Sequence, residues 1–428
     1  MVTRLARHAL AAAVLLGAAT AQARDIKVGV VYDLTGPLAA GGSKAGQIGT
    51  KIAIDMMNER GGVEGRKIVP FYADAQSRTA VATTEAERLM SDTGVDVLMG
   101  FFSSAQCLPI SAKADAARKF MWLNICVATS VLKDRNLQYV FRPQVHSDQL
   151  GAASCRFVAE NARAKFGREP RDMRIAIIHE DGPYGSGIAA SNEATCKALG
   201  MQVVLREGYG ATASDLSPLV MRLRRAGADV ILHTGYSPDI RVFLRQAREA
   251  GLKWGALIGH GAGYAQADWL RETFKGDADY LFNVDSIAAQ LLEAKSLKPG
   301  MGELTAEMVK RYKAETGEAQ VPVHVSAGFN QAWIFFSDVL PRAISKHGGI
   351  DAEALRKAAL ETDIPAGGTI QGYGVKFYPP GSPLSGQNQR SEPAIMQYAK
   401  GEKMIVSPVA IKTADPVLPL PRGHAYAH

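Results

Sequence analysis

What the chain lacks narrows it first. Beyond its N-terminus it has no run of about 18 uninterrupted apolar residues, so no further membrane span is expected. It has no basic block of the kind that marks nucleic-acid binding, because its basic residues are dispersed among acidic ones. It has only four cysteines, Cys107, Cys126, Cys155 and Cys196, widely spaced and without C-x-x-C, which argues against a zinc or dithiol redox site. H-E-x-x-H and G-x-S-x-G are both absent. The stretch Gly36–Ser43, GPLAAGGS, approaches the phosphate-loop pattern G-x-x-x-x-G-K-[ST], but Gly42 stands where a Lys must neutralise phosphate charge. It reads as a strand-to-helix loop. A Ser104, His260, Asp285 set can be assembled on paper, yet nothing local positions a base beside that Ser. No catalysis, metal or cofactor is expected.

What is present is ordinary for a globular chain of 428 residues, 47% hydrophobic and 21% charged, with material for more than one core. Arg4 and Arg7 precede an apolar run, Ala9–Ala19, and then Ala21-Gln22-Ala23, the order of a secretory signal peptide. Residues 1–23 are expected to be removed after Ala23, leaving a protein exported to the periplasm. Losing Arg4 and Arg7 takes the formal charge from +7 to +5, weak support for anionic ligands. Four cysteines in an oxidising compartment allow three pairings. Cys107–Cys126 with Cys155–Cys196 is favoured, because each pair then falls within one expected lobe.

From Asp25 the pattern alternates strand and helix: Ile26–Tyr32, a helix to Asn58, Ile68–Ala73, Ala80–Asp92, Val95–Met99, Ala105–Lys119, Phe120–Cys126. Tyr139–Ser147 breaks the rhythm as a crossover, and a second β-α series runs from Asp148 to Val284. Helices over Glu303–Thr316, Val325–Ser345 and Ala352–Glu361 follow, then a β-rich segment, GTIQGYGVKFYPPG, and a strand at Ala394–Lys400. Alternation of this kind implies α/β architecture with parallel sheets covered on both faces. Residues 413–428 carry three prolines and read as a surface tail.

One stretch concentrates the chemistry. VDVLMGFFSSAQCLP, Val95–Pro109, places Ser103 and Ser104 between a strand's C-terminal end and a helix N-terminus. Ligands bind there in open α/β sheets, and free N–H groups with the helix dipole favour an anion. The same two serines also suit a plain helix cap.

Five segments, IKVGVVYDLTGPLAAGG, NERGGVEGRKI, DVLMGFFSSAQ, IIHEDGPYGSG and FLRQAREAGLKWGALIG, together resemble the periplasmic leucine/isoleucine/valine-binding protein family, type I solute-binding proteins of ABC importers. The similarity runs in order from about Asp25 to Lys400. It implies two doubly wound, Rossmann-like lobes joined by three crossovers, near Arg142–His146, Asn283–Ser286 and Gly367–Gly374. Lobe 1 would comprise 24–143 plus 285–368, and lobe 2 144–284 plus 369–412. The family's G-x-x-S-S loop falls on Phe102, Ser103 and Ser104, with Ser104 the main carboxylate anchor. The next loop offers the Val127 carbonyl and the Thr129 hydroxyl. Tyr184 and Tyr236 would close over the ligand from the second lobe.

Two departures from the family pattern bear on specificity. His260 falls where amino-acid binders carry the acid that pairs with the ligand ammonium, and Gly41 replaces a first-loop aromatic, opening space. The expected ligand is therefore a small carboxylate without an α-amino group, bulkier than leucine. If Asp285 or Asp181 supplies the missing acid, the ligand is an amino acid instead. The expected partners are that ligand and the permease subunits of an importer, with the protein a monomer. The alternative role is a sensory receptor docking on a signalling partner.

Overall fold

Near-continuous apolar runs make strands that bury both faces, and two parallel sheets built from such runs organise the chain. The computed structural model describes residues 24–399 and 401–428; the expected signal peptide lies outside the described residues. In the first lobe β1 (Ile26–Tyr32), α1 (Lys44–Glu59), β2 (Ile68–Asp74), α2 (Thr79–Ser91), β3 (Val97–Gly100), α3 (Ser104–Ala116), β4 (Phe120–Leu123) and β5 (Val140–Phe141) succeed one another. Their strands pair in parallel in the order β2-β1-β3-β4-β5.

The second lobe takes α4 (Ser147–Asn161), β6 (Arg174–Glu180), α5 (Pro183–Ala198), β7 (Gln202–Tyr209), α6 (Ser217–Ala226) and β8 (Val230–Thr234). It continues through α7 (Ser237–Glu249), β9 (Ala256–His260), α8 (Ala267–Phe274) and β10 (Phe282–Asp285). Then α9 (Met301–Thr316), α10 (Val323–Ile334), α11 (Leu340–His347) and α12 (Ala352–Leu360) precede an antiparallel pair, β11 (Ala394–Ala399) and β12 (Glu402–Ser407). That pair completes the second sheet, ordered β12-β11-β10-β9-β8-β6-β7.

The chain returns to the first lobe through α10, which crosses α1 backbone against backbone. A Cβ on Gly49 would lie 2.2 Å from Val325 O, and one on Gly328 2.1 Å from Gly46 O. Only glycine permits that approach. Farther along, Trp122 Nε1 donates to Gln331 O at 2.8 Å, and Phe335 packs on Phe120 and Trp122 with centroids 5.8 and 5.3 Å away. The long expected helix Val325–Ser345 is interrupted by a wider turn at Phe335–Val339, followed by Pro341, which cannot continue the amide ladder.

Three expectations change. The last crossing lies later than Gly367–Gly374. Phe377 meets Trp122 and Phe141 edge-on at 5.6 and 5.1 Å, and Arg142 N donates to Gly386 O. Residues 369–391 therefore stay with the first lobe, held by an aromatic core that the β-like look of the segment conceals. Its pairing among the described residues is limited to single bridges, Ile364 to Val375, Phe377 to Asn388 and Arg142 to Gln387. The C-terminal residues are no loose surface tail: Tyr426 stacks on Trp254 at 4.1 Å, Trp254 N donates to Tyr426 O, and Leu420 N to Gly255 O. Proline there shapes a strap that finishes the second core. Strand β12, unexpected from the sequence, pairs with β11 as an outer strand.

Cys107 is bonded to Cys126, and Cys155 to Cys196, so each bridge lies within one lobe. The crossings are tied by buried amides: Gln387 Nε2 donates to Gln144 O, Ser286 Oγ to Gln144 Oε1, and Gln371 Nε2 to Ile287 O. Replacing Tyr426 by Ala should cost about 3 kcal/mol, the scale for deleting a buried aromatic. A lower denaturation midpoint by tryptophan fluorescence is the expected result; an unchanged one would mean that the strap contributes nothing.

Candidate ligand-binding site

The C-terminal ends of the two parallel sheets face each other, and the loops leaving them form the walls of a cleft, the place where open α/β sheets take ligands. The cleft encloses about 370 Å³ of empty space. The first lobe supplies Phe102, Ser104, Ile125 and Val127, with Gln144 from the first crossing and His324 from the start of α10. The second supplies Leu150, Tyr184, Tyr236, Gly261, Ala262 and Asp285. Most of this lining is apolar or aromatic, and the few polar groups converge on one space.

Ser104 opens α3, so its amide has no partner within the helix. Its Oγ accepts from Ala128 N at 3.1 Å, which leaves the hydroxyl proton available to donate. The helix dipole reinforces the same spot. This end of the cavity is built for an anion.

Asp285 supplies the opposite character. It is 4% exposed; Oδ1 accepts from Ser286 N at 2.7 Å, while Oδ2 is buried with no hydrogen-bond partner among the described residues. Burial pushes its carboxyl up to about 6, against the pull of the Ser286 N–H. Glu180, also buried nearby, differs: its two oxygens accept from Gly185 N and Gly182 N, so it is spent on the start of α5. Asp181 is exposed.

Aromatic rings line the space between. Phe102 lies 6.3 Å from Tyr236, Tyr236 5.3 Å from Tyr184, and Phe102 5.3 Å edge-on from His324. The Tyr184 hydroxyl donates to His260 O. Tyr236 and Ser103 hydrogen-bond through their side chains, and Gln266 Nε2 meets His324 Nδ1 at 3.2 Å, so both contacts bind lobe to lobe. Burial drives His324 down to about 3, and it stays neutral at physiological pH.

The structure thus brings Phe102, Ser104, Val127, Tyr184 and Tyr236 to the cavity and sets Ser103 at its closing contact. It does not bring the others. The Val127 carbonyl, expected to face the ligand, accepts from Ser147 N, and only the side chain lines the space. The Thr129 hydroxyl is turned to the start of α4, donating to Asp148 Oδ1 at 2.9 Å and accepting from Asp148 N at 3.1 Å. Satisfying that helix end outcompetes facing the cleft.

His260 is fully buried behind the wall. Its Nε2 lies 3.1 Å from Ser154 Oγ, its Nδ1 3.0 Å from Thr234 Oγ1, and the Ser104–His260–Asp285 set is not assembled. His260 is the last residue of β9, and the cavity is lined by the next residue, Gly261, where the chain leaves the strand with φ +46°. Nor does Gly41 open space. It packs near Ser237, while His324 fills the neighbouring region against Gly42, whose φ is +127° and whose Cβ would come 2.3 Å from His324 Nδ1. Gln144 and His324 escaped the sequence reading altogether. The one available signal for Gln144 was its place in the rhythm-breaking crossover, and for His324 its position just after Pro322, at a helix start.

The model of the family described as periplasmic binding protein matches residues 25–379. The chain is 33% identical over 408 residues to Leu/Ile/Val-binding protein homolog 7 of Brucella suis, covering 95% of this chain and 97% of that protein. Among solved structures it resembles a leucine-binding protein, LivK, from Thermotoga maritima, with a TM-score of 0.74 at 20% identity over 89% of this chain and 98% of the other. It also resembles a solute-binding protein from R. palustris in complex with 4-hydroxybenzoate, with a TM-score of 0.70 at 17% identity over 92% and 98%. The architecture is that of the type I periplasmic binding protein fold.

The folded protein holds the Asp285 proton more tightly than the unfolded chain, whose carboxyl titrates at its ordinary 3.8. Stability without ligand should therefore fall as pH rises from about 4 to about 6 and stay lower above that. Asp285→Asn should remove this dependence and stabilise the protein near neutral pH by up to about 3 kcal/mol. Thermal melts of both proteins across this range check it; parallel curves would show that the buried carboxylate carries no penalty.

Proposed function

Because the chain belongs to the periplasmic binding protein family, we propose that it is the periplasmic receptor of an ABC importer, closing over an amino acid with an apolar side chain and presenting it to a membrane permease. The observation that carries the reading is the bare Oδ2 of Asp285 in the same cavity as Ser104 and the start of α3. An α-carboxylate meets the anion-favouring end, and its ammonium meets Asp285. The side chain lies among Phe102, Ile125, Val127, Leu150 and the two tyrosines. A zwitterion adds no net charge to the cleft and gives Asp285 a cation to face, whereas a simple acid would leave two carboxylates and no cation in one dry space.

The organic-acid expectation rested on His260 standing where the ammonium's partner belongs. That ring faces Ser154, and Asp285 takes the role from another strand. A second reading has one observation in its favour: Phe102, Tyr236 and Tyr184 form a continuous aromatic wall suited to a benzoate-like acid. There, Asp285 would be protonated and would hydrogen-bond a hydroxyl. The R. palustris protein of similar fold holds 4-hydroxybenzoate.

Calorimetric titration with leucine, isoleucine, valine, phenylalanine, their deaminated acids and 4-hydroxybenzoate separates the two. The amino acids should bind, and removal of the amino group should weaken binding by about 100-fold, the scale for a desolvated charge left unpaired. Ser104→Ala should weaken it by roughly 10- to 150-fold, as for a hydrogen bond to a charged group. Affinity for amino acids should also decline as pH falls below about 6, where Asp285 takes up its proton and loses its charge. Binding of 4-hydroxybenzoate with no response to any amino acid would establish the second reading instead.

A further inference from the structure

Arg142, at the first crossing, is the largest charged side chain fully enclosed in the protein. Its partners are all neutral. Nε donates to Gln387 Oε1 at 2.6 Å, and Nη1 to Ala128 O at 2.8 Å and Cys126 O at 3.3 Å, while Nη2 is buried with no hydrogen-bond partner among the described residues. The acid acting on it at a distance, Asp148, is partly exposed and shared with Lys133. A buried cation without an anion is costly. Burial lowers Arg142 to about 9, so the charge is still carried at neutral pH. Neutral acceptors alone do not require a cation: an amide donor would serve them.

The place of that charge is informative. The carbonyls it holds belong to the loop Cys126-Val127-Ala128, and Ala128 N donates to the Oγ of Ser104. The guanidinium thus stands two hydrogen bonds behind the expected carboxylate anchor. We propose that Arg142 is a positioning residue for the ligand carboxylate, fixing the anchor loop and supplying the positive charge that a buried carboxylate needs. This rests on the reading of Ser104 as that anchor. Arg142 behind one lobe's wall and Asp285 on the other's are two buried charges of opposite sign on either side of the cavity.

The test compares each ligand with the amide of its carboxylate, which removes the negative charge and leaves the rest of the molecule, including the ammonium of leucinamide, in place. For Arg142→Gln, leucine should bind about 30-fold more weakly, the scale of one unit charge acting over several ångströms at low effective dielectric. Leucinamide should change by less than about threefold. Arg142→Lys keeps the charge but not the three-way grip, so it should weaken both ligands while preserving the preference for the carboxylate. Equal losses for leucine and leucinamide in Arg142→Gln, or no loss for leucine, would overturn the proposal and reduce Arg142 to a loop support. If Arg142→Gln fails to fold by circular dichroism, Arg142→Lys carries the test, and loss of its carboxylate preference overturns it. The same comparison with 4-hydroxybenzoate and 4-hydroxybenzamide separates a wrong ligand class from a wrong role for Arg142, since the charge answers the carboxylate on either molecule.

Discussion

A carboxylate walled in with one oxygen bare is the constraint on which the closed protein turns. Asp285 sits at the end of β10, on the strand that leads out of the second lobe, and what its ionised form gains from the Ser286 N–H and from Asn283 and Lys403 nearby does not offset its burial. Closing the lobes removes water from it and raises its proton affinity. The closed arrangement is therefore electrostatically unfinished by itself. A cationic group placed at Oδ2 reverses the sign of the term, turning a desolvation penalty into a short-range attraction at low dielectric. On the proposed reading, selectivity and closure are the same event, since a ligand that completes the charge pattern is one that stabilises the shut cleft.

The hinge is suited to leave that decision to the cleft. Apart from Arg142, whose Nε donates to Gln387 Oε1, its buried contacts are amides and hydroxyls: Gln144, Gln331, Gln371, Gln387 and Ser286 take part in hydrogen bonds of 2.7 to 3.3 Å. An amide side chain both donates and accepts, so partners can be exchanged during a twist without baring a charge. Both disulfides lie to either side of this region and restrain the lobes individually. The lobe-to-lobe contacts at the mouth, Ser103 with Tyr236 and Gln266 with His324, are few and neutral.

The fold was legible because it rests on apolar runs and strand-helix alternation, which report directly on buried parallel strands. The place of Ser104 was legible for the same reason: a hydroxyl between a strand end and a helix start lies at the cleft, whether it caps the helix or meets a ligand. Side-chain direction was not. His260 and Gly261 are neighbours, but the first ends β9 inside the core and the second, past the strand's end, lines the cavity. Thr129 had the right chemistry, but a nearby helix end claimed its hydroxyl. Asp285 was visible only as one acid among several, because its significance lies in what fails to touch it. The late third crossing was hidden because Phe377, in a segment of strand-like composition, is anchored by Trp122 and Phe141, far away in sequence.

The glycine crossing of α1 and α10 has a consequence for how the molecule is made. Gly49 and Gly328 belong to one packed face but are separated in sequence by all the parallel strands of the second sheet. The first sheet can form early, and Cys107 needs only the following 19 residues to reach Cys126. Its covering helix arrives after the second sheet's parallel strands have been laid down, so the first lobe waits with α1 uncovered while its neighbour folds. Contacts of such long sequence separation are slow to form, and an incomplete apolar face is the surface on which chains associate wrongly. The lobe that begins first finishes late, and during that interval the chain depends on being kept apart from its copies.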